Sequence, residues 1–106
     1  MFARRVYMHL KPNSVGEFTQ RLEKEIIPLL RKQKGFQDEI TFVAPSGTEA
    51  FAISLWDRVE SAEAYNRGTF REVTKLLATV VDGPPQVETY NVANSTFHKI
   101  AAAVTV

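Results

Sequence analysis

Residues 51–56 carry no charge in either of their alternating rows. Phe51, Ile53 and Leu55 share one parity, and Ala52, Ser54 and Trp56 share the other. Successive side chains of a strand point to opposite faces, so a run that is apolar or small in both rows is a strand covered on both sides. Trp56, the only tryptophan, closes the run. Residues 57–61 turn the chain, and residues 62–66 start a helix. The chain must therefore build a sheet with cover on both faces. Its 106 residues suffice for one domain with one core.

The remaining periodicities supply the other elements. Residues 3–11 alternate as a strand, with Val6, Met8 and Leu10 on one face and Arg5, Tyr7, His9 and Lys11 on the other. Residues 14–34 read as a helix. Ser14 and Glu17 have capping-box spacing, Phe18, Leu22, Ile26, Leu29 and Leu30 form the apolar stripe, and Pro28 should kink it. Gly35 terminates it. Residues 36–44 form a second strand, with Phe36, Ile40 and Phe42 pointing one way and Thr41 and Val43 the other. The turn at residues 45–48 returns the chain antiparallel into residues 49–56. A second helix spans residues 61–81 with a break at residues 66–69, where Gly68 ends one segment and Thr69 caps the next. Residues 82–85, Asp-Gly-Pro-Pro, stop it, and residues 86–94 form a fourth strand.

The order β-α-β-β-α-β predicts an α+β, ferredoxin-like fold with an antiparallel sheet. Residues 1–95 form the domain, and the apolar tail, residues 96–106, should pack on that domain or on a partner chain. Two helices cover only one face. With the Phe51 row against the helices, Tyr7, Thr41, Val43, Ala52, Ser54 and Trp56 fall on the open face. A second sheet from an identical chain should cover that face.

Composition narrows the function. A net charge of +1 without a long basic run gives no footprint for a nucleic-acid partner. The absence of cysteine excludes disulfides and thiolate metal sites. Two isolated histidines do not make a metal site, so no metal and no cofactor are expected. No signal peptide and no apolar run of membrane length are seen, so no membrane partner is expected and a cytoplasmic setting is. Phosphate loops, nucleophile elbows, paired catalytic carboxylates and nucleotide fingerprints are not found.

The W-D-x-x-E-S-A-E-A-Y junction at residues 56–65, Leu10 to Asn13 after the first strand, and Gln33 to Phe36 before the second stand in a characteristic order. Over about residues 3–94 the chain resembles the antibiotic biosynthesis monooxygenase family of dimeric α/β barrels. The resemblance implies a homodimer with a pocket between sheet and helices in each subunit. Within the family some members oxygenate aromatic or quinol-like substrates without metal or flavin, and others degrade heme. The heme branch uses a strand-1 Asn, a helix Trp and a helix His, where this chain has Val6, Tyr65 and a residue near Lys75 or Leu76. Heme is therefore not expected.

The candidate site follows. Trp56 can hold a flat substrate by stacking, although a core or interface role explains it too. Tyr65 can hydrogen-bond a substrate oxygen or assist proton removal. His9 titrates near neutrality and is a candidate base, against a structural role on its strand. Val6, Met8, Phe42, Ile53 and Phe70 are the expected apolar substrate-binding wall, with Asn66 and Arg67 at a pocket mouth or a solvated helix break. Strand parity sets Trp56 away from a pocket facing the Phe51 row, and only a twist or bulge returns its ring toward Tyr65. The expected function is a cofactor-independent monooxygenase of a small aromatic or quinol-like ligand. The alternative is a non-catalytic dimeric small-ligand-binding or structural module.

Overall fold

Every second residue of β1 (Phe2–Leu10) faces the helices: Phe2, Arg4, Val6, Met8 and Leu10. In the computed structural model, which describes residues 1–100, this strand lies inside a four-stranded antiparallel sheet. The other strands are β2 (Phe36–Val43), β3 (Glu49–Trp56) and β4 (Val81–Asn91), and the order across the sheet is β2-β3-β1-β4. The helices α1 (Val15–Arg21), α2 (Ile27–Arg31), α3 (Val59–Arg67) and α4 (Phe70–Leu77) pack against this sheet. The expected α+β, ferredoxin-like architecture is the one observed.

The expected orientation of β3 is reversed. Ala50, Ser54 and Trp56 are buried against the helices, and Ala52 packs on the same core. Phe51, Ile53 and Leu55 face the open side with Ile40 and Phe42 of β2, their register partners or neighbours. The reason is steric. Phe18, Leu22 and Ile26 need space above the sheet, and a row of Ala and Ser leaves it. Fully burying each such large side chain contributes about 1.5–3 kcal/mol. A register shift between Phe36 and Asp38 corrects a second expectation. One extra residue turns Phe36 onto the helix side, while Ile40 and Phe42 stay on the open side.

The first helix is less regular than its stripe suggests. A π-helical turn (Leu22–Ile26) joins α1 to α2 just before Pro28. Such wide turns bend helices, and here the bend coincides with the proline. Ser14 makes no side-chain cap; its hydroxyl donates to the Pro12 carbonyl, and Glu17 pairs with Arg21 at 3.2 Å. The fourth strand begins at Val81, earlier than expected, and runs through Pro84 and Pro85. It is an edge strand whose register slips between Tyr7 and His9, so its prolines interrupt little pairing. Beyond it, residues 92–100 extend to β2, where His98 contacts Asp38. Residues 101–106 of the expected packing tail lie outside the described residues. Among the described residues no helix is long and apolar enough to cross a membrane.

Gly35 locks the junction between β3 and α3. Its φ is +82°, and a Cβ there would lie 2.2 Å from Asp57 Oδ1 and 2.3 Å from Ser61 Oγ. Asp57 N–H donates to the Gly35 carbonyl at 2.8 Å, and the Ser61 hydroxyl holds the Asp57 carboxyl below its usual range. Gly35→Ala should therefore cost about 1–3 kcal/mol from backbone strain alone. Gly16, with open space around its Cβ position and a place in α1, should gain up to about 1 kcal/mol on replacement by Ala. Urea melts of the two variants, moving in opposite directions, check this; a neutral Gly35→Ala would contradict the locked junction.

Candidate functional site

Four aromatic rings form a chain from β2 to α4 on the helix side. Phe36 meets Trp56 edge-on at 5.6 Å, Trp56 lies 5.0 Å from Tyr65, and Tyr65 lies 5.8 Å from Phe70. Trp56 is completely buried, and its Nε1–H donates to Ser54 Oγ at 2.9 Å. The inversion of β3, without a bulge in that strand, brings Trp56 and Tyr65 together.

The chain of rings ends on a cation. Arg4 is 3% exposed, and its guanidinium carbon sits 5.1 Å from the Tyr65 ring centre and 4.4 Å from that of Phe70. Its Nη2–H donates to Asn66 Oδ1 at 2.8 Å. Among the described residues no carboxylate forms an ion pair with it. Burial lowers its pKa, yet an arginine starts so far above neutrality that it stays charged.

Arg4, Glu39, Ser54 and Tyr65 line a chamber of about 40 Å³, walled by apolar side chains that include Val6, Met8 and Phe70. That is room for a few waters and far below the several hundred Å³ that hold an organic ligand. Val6, Met8, Phe70 and Leu77 also line a cleft of about 620 Å³ between α4 and the start of β4. That volume is in the range that holds small organic ligands. A third opening of about 240 Å³ between α3 and β4 reaches Arg4 from the other side, past Asn66 and Glu63.

The two acids of the chamber are tuned in one direction. Burial, reinforced by the Glu39 charge and opposed by Arg4, pushes the Tyr65 hydroxyl up to about 12. Tyr65 therefore keeps its proton at physiological pH, which leaves its hydroxyl able to donate a hydrogen bond to a ligand. Burial also raises Glu39 above its ordinary 4.5, against a hydrogen bond from Thr41 that lowers it.

Of the expected site residues, Tyr65, Trp56, Val6, Met8 and Phe70 gather on the helix side. Phe42, Ile53 and His9 lie on the opposite face. His9 is exposed there, edge-on to Tyr7 at 5.2 Å. Pro84 and Pro85, read as a turn only, line the cleft. Sequence reading missed Arg4 and Glu39. The signal for Arg4 is its parity: a lone charge in the row of Val6, Met8 and Leu10. Glu39 likewise shares the row of Thr41.

No family model matches the chain, and no curated protein matches it. Solved structures do. A Streptomyces coelicolor monooxygenase determined with nanaomycin D superposes with a TM-score of 0.75 at 14% identity, covering 92% of each chain. A variant of a cofactor-independent oxygenase from Streptomyces nogalater gives 0.72 at 11%, covering 90% of this chain and 95% of that one. A Bordetella bronchiseptica protein, described as a candidate antibiotic biosynthesis monooxygenase, gives 0.73 at 16%, covering 86% and 95%. The protein thus has the fold of structures named antibiotic biosynthesis monooxygenases. Identities this low carry the fold alone.

The raised Glu39 carries a stability consequence. A carboxyl whose folded pKa exceeds its unfolded one costs stability as pH rises through that window, from 4.5 upward. Gln mimics the protonated form and keeps an oxygen for Thr41. Glu39→Gln should melt higher than wild type at pH 7, with the advantage vanishing near pH 4. Thermal melts at both values decide; a variant less stable at pH 7 would contradict the burial cost.

Proposed function

We propose that the protein is a cofactor-independent oxygenase of a small aromatic or quinol-like substrate, acting as a homodimer. The observation that carries this reading is the 620 Å³ cleft, which shares Val6, Met8 and Phe70 with a chamber holding a buried cation and a neutral phenol. In this reading the substrate ring occupies the cleft and its oxygen points toward Tyr65. Glu39, made more basic by burial, takes the proton from the substrate. The resulting anion passes one electron to O2, and the two radicals combine into a peroxide at carbon. Protonation gives a hydroperoxide, and loss of water leaves a carbonyl, so one oxygen atom enters the product and the other leaves as water. Tyr65 donates to the developing oxyanion, and the surrounding apolar side chains exclude water.

Oxygen uptake across a panel of phenols, quinols and anthrones tests this. Tyr65→Phe should lower kcat/KM at least tenfold, since a lost hydrogen bond to a charged group costs about 1.5–3 kcal/mol. An unchanged rate would remove Tyr65 from the chemistry. The small chamber supports a second reading, binding without turnover. Saturable ligand binding with no oxygen uptake on any panel member would select it.

The dimer rests on the open face of the sheet. Ile40 is 51% and Phe42 43% exposed beside half-buried Phe51, Ile53 and Leu55, a patch that a second sheet would cover. Light scattering should give twice the chain mass at micromolar concentration, and the double variant Ile40→Asp, Phe42→Asp should shift it to monomer. A wild-type monomer at that concentration would contradict the paired-sheet arrangement.

A further inference from the structure

A buried arginine normally stands opposite a carboxylate, because desolvating a charge without a partner is costly. Arg4 has no such partner among the described residues. Along β1 it stands between the apolar Phe2 and Val6 of its own row. One of its N–H groups is occupied by Asn66, while the fork has five in all. Tyr65 and Phe70 both pack against its guanidinium, which restricts its rotamers before any ligand arrives. It borders both the inner chamber and the 240 Å³ opening between α3 and β4. An anion from outside could fill this position.

We propose that Arg4 is an anion subsite, taking the carboxylate or ionised oxygen of a planar organic monoanion whose ring system lies against Phe70. This deepens the oxygenase reading by naming the substrate class, and the binding it requires does not depend on turnover. Two carboxylates face the site. Glu39 lines the chamber and Glu63 the opening, so a second negative charge on the ligand would be repelled. The guanidinium matches a carboxylate bidentately, and charge-assisted bonds of that kind are about twice as strong as neutral ones.

The probes are 2-naphthoate and its neutral isostere 2-naphthamide, titrated by calorimetry. Wild type should bind the carboxylate at least tenfold more tightly. Arg4→Met should bring the two affinities within about twofold and leave that for the amide unchanged, with folding checked by circular dichroism. Arg4→Lys, which keeps the charge but not the fork, should fall between. Equal affinities in wild type, no binding of either probe at millimolar concentration, or a preference surviving in Arg4→Met would overturn the subsite. If Arg4→Met does not fold, the wild-type ratio and Arg4→Lys decide. A carboxylate preference without oxygen uptake would sink the oxygenase reading and leave the subsite. Uptake without the preference would do the reverse.

Discussion

The contact between Trp56 and Tyr65 organises the helix side of this protein. Trp56 closes β3, Tyr65 lies in α3, and their rings are 5.0 Å apart with no solvent at the tryptophan. Phe36 extends the stack into β2 and Phe70 extends it into α4. Aromatic pairs at these separations contribute about 0.5–1.5 kcal/mol each beyond the area they bury. The stack also fixes geometry. It ties α3 to the sheet, and Tyr65 and Phe70 at its end pack against the Arg4 guanidinium. The locked turn at Gly35 and Asp57 places Trp56 and α3 at the angle the stack needs.

The sheet consequently has two faces of different character. The helix side combines small strand residues, bulky helix residues and a few buried polar groups, which is the composition of a ligand pocket. The open side carries large apolar side chains with an ion pair, Arg5 to Glu88 at 2.8 Å, and a Tyr7–Glu49 hydrogen bond. One surface suits a small molecule and the other suits a second sheet.

Element order, and hence the fold, was legible because each element has a clean period and its own punctuation: Gly35, Gly47 with Pro45, and Gly68 all mark ends. The facing of β3 was not legible. Alternation shows that two rows differ, but not which of two uncharged rows meets the helices. That depended on volume, since Ala50, Ala52 and Ser54 accept Phe18 and Ile26 where Phe51 and Ile53 would not. The bulge after Phe36 leaves no sequence mark beyond an ordinary Gln37. Tyr65, Val6, Met8 and Phe70 were legible as site residues from pattern and resemblance. Arg4 and Glu39 were missed because charged side chains on strands are usually solvated, and only the fold shows Arg4 buried and Glu39 partly covered at the edge of the same chamber.

A buried cation stands at the end of the aromatic stack. Nitrogen-15 spectra of the arginine side chains test it directly. Arg4 Nε–H should exchange slowly with water at neutral pH and should be shifted upfield by the Tyr65 and Phe70 rings, with the shift reduced in Phe70→Leu. An Arg4 signal that exchanges as fast as that of exposed Arg67, and does not respond to Phe70→Leu, would contradict the account.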